Sequence, residues 1–287
     1  LRSDILNELA LEVSNNFVDS LNSGIKGHVA TILEYAGKYP GQELVITRLP
    51  QFFSHKSSLN EVELAFVVSY SEHKKLFSVG NSNYYVEDLC GKINTELILH
   101  LPVFVREGVE EASMRSRLSA VVGELATALR HELEHSRQHE RVSRTQQITL
   151  AEAHAHLMSD YERFDPASED LYNSYLKYFA NDAELGAYTS QFRFQHTVLN
   201  EELGTIIENF IFEKSSLLVT EYNERENSEG GIRHSITNFI KTRLFGVKQK
   251  RLKNFKLALR EIIYLHYSSR YFDSYDSAAL AKYHDIF

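Results

Sequence analysis

The sequence is poor in residues that staple or break a chain. Cys90 is the single cysteine in 287 residues. That excludes an internal disulfide framework and a cysteine-built zinc module, and it fits a reducing compartment. No charged pattern surrounds Cys90 to activate it, so it reads as a small core residue. Only 4 prolines and 13 glycines are present, which argues against collagen-like, proline-rich or low-complexity segments. Long apolar runs are missing as well. The longest, around Ala65–Val68 and Leu97–Val105, fall far short of the roughly 20 residues that a membrane span requires. The first residues, LRSDILNELALEVSNN, include acids and read as an amphipathic helix rather than a signal peptide. The expectation is a cytoplasmic protein without a membrane partner. A basic excess is also absent: 31 Lys and Arg stand against 39 Asp and Glu, a net charge of −8, which argues against nucleic acid as the partner.

What is present suits a globular core, with 43% apolar and 24% charged residues. From Gln42 to Val105 the chain reads as strands: ELVITRL, VELAFVVSY, KLFSVG, YYVEDL and INTELILHL, separated by polar breaks. From Glu110 onward apolar residues recur at spacings of three and four, the mark of helices. Strands first and helices after predict an α+β fold, an N-terminal sheet followed by a mostly helical half. Late in the chain, Asn227–Gly231 (NSEGG) separates a Glu-rich helical segment, Asn200–Asn227, from a basic one containing Lys241, Arg243, Lys248, Lys250, Arg251, Lys253, Lys256 and Arg260. This spacing predicts one domain over 1–226 and a helical extension over 227–287, with a helix–helix loop inside a single domain as the alternative. Leu252, Phe255, Leu259, Ile262 and Ile263 give the basic helix a packing face, against an acidic partner or the Asn200–Asn227 segment.

One string carries chemistry: His131-Glu132-Leu133-Glu134-His135. Two histidines four apart on a helix point the same way and can bind one Zn²⁺, while the glutamate between them can take a proton from a metal-bound water. At about 100° of rotation per residue, Leu118, Val122, Leu125, Leu129 and Leu133 form an apolar stripe. His131 and His135 share another flank and Glu132 lies between the two. Arg130 and Glu134 fall on the side left for solvent.

A catalytic site needs a third protein ligand. The metzincin continuation is excluded, because Gln138 and Arg141 stand where it requires Gly and His. His139 is a poor third ligand, since three consecutive i+4 histidines spread about 12 Å along the helix axis. His154 and His156, two apart, diverge on a helix and read as one buried and one exposed residue. Glu184 is the better candidate. With Asn181 it also fits a capping box, in which Glu184 would return to the N-cap amide. The string Glu184-Leu185-Gly186-Ala187-Tyr188, downstream of HExxH, resembles the E-x-x-A-Y of gluzincin-type zincin metallopeptidases, in particular small zinc peptidases of bacteria and phages. The resemblance covers Leu118 to Phe192. It implies that His131, His135 and Glu184 ligate Zn²⁺, that Glu132 is the general base, and that substrate lies against an edge strand, here Ile93–Leu101. Tyr188, one turn beyond Glu184, would orient it or donate to an oxyanion, with core packing as the other reading. Arg233 and His234 are further oxyanion candidates.

The expected activity is therefore zinc-dependent hydrolysis of peptide bonds in a peptide or protein substrate. The alternative is a zincin-like interaction or structural protein with little catalysis. The resemblance to phage proteins adds a virion-associated setting to the cytoplasmic one.

Overall fold

The computed structural model describes residues 3–38, 42–52, 59–159, 171–229 and 237–270. Two units divide the chain, Leu1–Leu157 and Met158–Phe287. The fold is α+β: one sheet in the N-terminal part, followed by a mostly helical remainder.

The first unit holds α1 (Ser3–Ser23), α2 (Ile25–Lys38), β1 (Leu44–Phe52), β2 (Leu59–Ser69), β3 (Phe77–Glu87), β4 (Cys90–His100), α3 (Leu101–Glu107), α4 (Glu111–Gln146) and all but the last two residues of α5 (Leu150–Ser159). The sheet order is β1-β2-β4-β3. β1 and β3 run antiparallel to their neighbours, while β2 and β4 are parallel. Along β4, Ile93, Thr95, Leu97 and Leu99 are buried and Lys92, Asn94, Glu96 and Ile98 are half-buried, the alternation of a strand with one covered face. α4 packs on β3 and β4, and α1 packs on α4. The amphipathic reading of the first helix holds, with Leu6, Ala10, Val13, Phe17, Val18 and Leu21 buried.

Three local expectations are corrected. The runs KLFSVG and YYVEDL belong to one strand, β3. The polar Asn81-Ser82-Asn83 between them falls where the β3–β4 register shifts, between Val79 and Ser82, so the break is an irregularity within a strand and not a turn. Ile93–Leu101 is not an edge strand. β3 and β4 form a hairpin through Asp88 and Leu89, both with positive φ (50° and 64°), a two-residue turn matched to strand twist. That hairpin leaves β3 at the edge and β4 inside. Finally, the apolar Leu101–Val105 continues as helix α3, not strand, with Pro102 in its first turn. Proline is pre-organised for that place. Cys90, read as a core residue, is half-buried at the start of β4.

The second unit contains α6 (Leu171–Ala180), α7 (Asp182–Thr197), α8 (Leu203–Glu229) and α9 (Thr237–Arg270). Its core joins Phe179, Phe192, Leu203, Ile211 and Leu218 to Phe255, Leu259, Ile263 and Tyr267. The apolar stripe expected on the basic helix is thus buried, with Leu252 and Ile262 packed beside it. Arg260 donates two hydrogen bonds to Glu208 of α8, at 2.7 and 2.5 Å, one contact of the kind expected between the basic and Glu-rich segments. The boundary expected at 226/227 falls within α8. Gly230, Gly231, Arg233 and His234 lie outside the described residues. Among the described residues no helix is long and apolar enough to cross a membrane.

Candidate metal centre

The middle of α4 is the most enclosed part of the helix: every residue from Leu129 to Ser136 is buried. Leu118, Leu125, Leu129 and Leu133 are in the core as the stripe requires, joined by Val121, while Val122 is half-buried. His131 and His135, one turn apart, bring their Nε2 atoms to 3.1 Å, the rings meeting edge to face. His135 Nδ1–H donates to Gln138 Oε1 at 3.1 Å, which leaves the Nε2 lone pair directed at its neighbour. Two imidazole nitrogens at this separation need a proton or a cation between them. Tetrahedral Zn–N bonds of about 2.0–2.1 Å place donor atoms roughly 3.3 Å apart, so the pair fits a shared ion.

Glu132 is buried beside them, and its Oε2 accepts the backbone N–H of Tyr84 at 2.8 Å. Tyr84 lies on the edge strand β3. The carboxylate is thereby held by main chain, whose position no side-chain rotation alters. Sequence reasoning missed this partner, because a backbone donor leaves no residue-type signal.

The solvent expected on the Arg130 and Glu134 side is replaced by α1. Both residues are 1% exposed. Arg130 Nε donates to Asn7 Oδ1 at 2.8 Å, and Nη2 donates to Ser3 Oγ at 3.2 Å. Arg130 also donates through Nη1 to Glu134 Oε2 at 3.2 Å, and Arg137 donates to Glu134 Oε1 from Nε at 3.0 Å and again from Nη2. Burial works against charge on Glu134, but the Arg137 and Arg130 guanidiniums outweigh it and hold the carboxyl below its usual range. Helix rotation gives the direction of these side chains but not what covers them.

In the second unit Glu184 is 4% exposed, in the first turn of α7. Asn181 is the N-cap, its Oδ1 accepting from Ala183 N–H at 2.8 Å. The Asn181 N–H donates to the Tyr178 carbonyl, and Glu184 Oε1 accepts from Tyr178 Oη at 3.2 Å. A buried carboxylate thus has a phenol partner that the capping-box reading did not include. Tyr188 lies in an aromatic cluster, its ring centroid 4.5 Å from Phe210 and 6.1 Å from Phe179, with Lys214 Nζ 5.7 Å from the ring centre.

His139 and His154, set aside as ligands, are in contact. His139 is buried, and its Nε2 lies 3.0 Å from His154 Nδ1. Burial, with His154 and His135 adding to it, pushes the His139 pKa down to about 4 despite the hydrogen bond to the His135 carbonyl. His154 is half-buried and His156 exposed. The divergence expected of residues two apart is therefore present.

The chain matches no protein-family model, no curated protein and no solved structure.

Proposed function

We propose that the protein is a zinc-dependent metallopeptidase in which His131, His135 and Glu184 hold the metal and Glu132 is the general base. The observation that carries this reading is the His131–His135 pair, with Nε2 atoms 3.1 Å apart on a buried helix and an intervening carboxylate anchored at 2.8 Å to the Tyr84 amide. Two imidazoles with a carboxylate are the donor types of a catalytic zinc site, and zinc is the ion that the HExxH arrangement best suits. The third ligand rests on the resemblance at Glu184–Tyr188 and on the burial of Glu184, a carboxylate of the kind that completes a two-histidine zinc site.

Bound zinc would lower the pKa of its water to about 7 and polarise a scissile carbonyl. The chain's own groups do the rest. Gln138 accepts from His135 Nδ1–H, which leaves Nε2 as the nitrogen that would bind the metal. Glu132, with one oxygen tied to Tyr84, accepts the proton of the attacking water and returns it to the leaving amine. Tyr178 holds one oxygen of Glu184. Substrate is a peptide or protein, in the cytoplasmic or virion-associated setting that goes with the resemblance.

Zinc-replete wild type and Glu132→Gln are to be compared for metal content and for cleavage of a fluorogenic peptide library. The expected result is unchanged zinc and a loss of cleavage on the order of 10²–10⁴-fold. Wild-type cleavage by Glu132→Gln, or a wild type that neither binds zinc nor cleaves, overturns the reading.

A further inference from the structure

We propose that His139 and His154 form a second metal site, for a divalent ion that prefers imidazole, such as Zn²⁺, distinct from the His131–His135 pair. The two residues are brought together by the turn that ends α4. Gln147 adopts left-handed φ and ψ (56° and 40°) as its C-cap, with the cap amide bonded to the Ser143 carbonyl. α5 starts three residues later, at Leu150, locked by Thr149 and Glu152, which exchange backbone and side-chain hydrogen bonds. His154 on α5 is thereby placed against His139 on α4.

The pair has the features of ligands. His139 Nε2 and His154 Nδ1 are 3.0 Å apart, close to the spacing of the first pair. The tautomer of His139 is fixed from behind: its Nδ1–H donates to the His135 carbonyl at 2.6 Å, so the Nε2 lone pair points at His154. A carbonyl bound to the far nitrogen is the usual support of a metal-binding histidine. The ring of Tyr84 walls the pair, its centroid 4.8 Å from that of His139 and 6.3 Å from that of His154. Tyr84 itself is buried. His139 is enclosed while His154 is half-buried, so an ion reaches the pair from the His154 side. Among the described residues no third donor is grouped with the pair, which makes this site weaker than a three-ligand centre. The competing explanation of the same geometry is a proton, with His154 Nδ1–H donating to His139 Nε2.

The proposal does not depend on the metallopeptidase reading, and the test separates them. Full-length protein is stripped with a chelator and titrated with Zn²⁺ against a chromophoric competitor, in wild type, His131→Ala/His135→Ala, and that double variant with His154→Phe added. Phenylalanine keeps the ring volume, and helical circular dichroism checks the fold of each; His139→Phe serves if His154→Phe fails to fold. The expected counts are two ions, one and none. Loss of the pair should weaken the remaining ion by more than about 100-fold, beyond the roughly 10–100-fold that an outer-shell partner contributes. A single ion in wild type that persists in the double variant and vanishes with His154→Phe supports this site and overturns the first. A double variant that binds nothing, or whose ion survives loss of either His154 or His139, shows that the pair shares a proton only.

Discussion

The two units bury different things. The first encloses Arg130, His131, Glu132, Glu134, His135, His139 and Glu140 along one helix, whereas the second encloses aromatic and aliphatic side chains. Among the described residues, the buried polar groups of the second include Thr189 and Ser215, whose hydroxyls donate to the Leu185 and Ile211 carbonyls of their own helices. Against that background Glu184 stands out. Within the first unit the contrast sharpens again. Arg130 and Glu134 answer each other, with Asn7 and Ser3 closing the network. The histidine pairs instead set nitrogen against nitrogen. Burial of polar groups therefore marks two kinds of place: a closed ion pair that holds α1 to α4, and imidazoles whose geometry calls for a cation or a shared proton.

The strongest test of that division is Arg130→Ala. It leaves Glu134 buried with one guanidinium fewer, and removing one partner of a buried pair costs about 3–5 kcal/mol. Denaturant unfolding of the full chain checks this, and Arg130→Met/Glu134→Leu should recover most of the loss. A loss near zero for Arg130→Ala would make the two units alike. The pair also has a pH signature. Because the Glu134 carboxyl is held below its ordinary value of 4.5, its contribution is complete above that value and disappears as pH falls through the depressed one. Arg130→Met/Glu134→Leu should flatten that acid limb.

In the second unit, Leu259→Ala removes a fully buried side chain from the apolar core and should cost about 2–5 kcal/mol, with no acid limb altered. A pH-dependent loss there would blur the comparison. Glu184→Ala should lower Zn²⁺ affinity by about 100-fold, about 2.7 kcal/mol, while unfolding in the apo state shifts by about 1 kcal/mol or less, since Asn181 keeps the cap. Unchanged affinity in competitive titration would return Glu184 to the ordinary core. The smallest effect expected is a gain. Leu89, 65% exposed with φ of 64°, pays for a conformation that glycine adopts freely, and Leu89→Gly should stabilise the hairpin by about 0.5–1 kcal/mol. Thermal unfolding reads it.

The HExxH helix was legible because its periodicity is local. Leu118, Leu125, Leu129 and Leu133 take the core face that rotation assigns, and His131 meets His135. Contacts between distant segments were not legible. Nothing in the composition of α1 announces that Asn7 and Ser3 cover Arg130, and no side-chain pattern marks the Tyr84 amide as the partner of Glu132. His139 was judged along its own helix, where three histidines in a row cannot share an ion. Its actual partner, His154, depends on the αL residue Gln147, which the sequence does not flag as a turn. The strand misreadings have the same origin: Asn81–Asn83 looks like a turn until β4 supplies a partner, and Leu101–Val105 looks like strand until Pro102 is placed in a helix.

The network at Arg130 also bears on biosynthesis. Asn7 and Arg130 are 123 residues apart in the chain. At about 5–20 residues per second, α1 leaves the ribosome roughly 6–25 s before the helix it docks on. Through that interval Leu6, Phe17 and Leu21, all buried in the finished molecule, have no α4 to cover them. α1 thus stays uncovered until α4 has been made, and a truncation that ends before α4 should be retained by a chaperone.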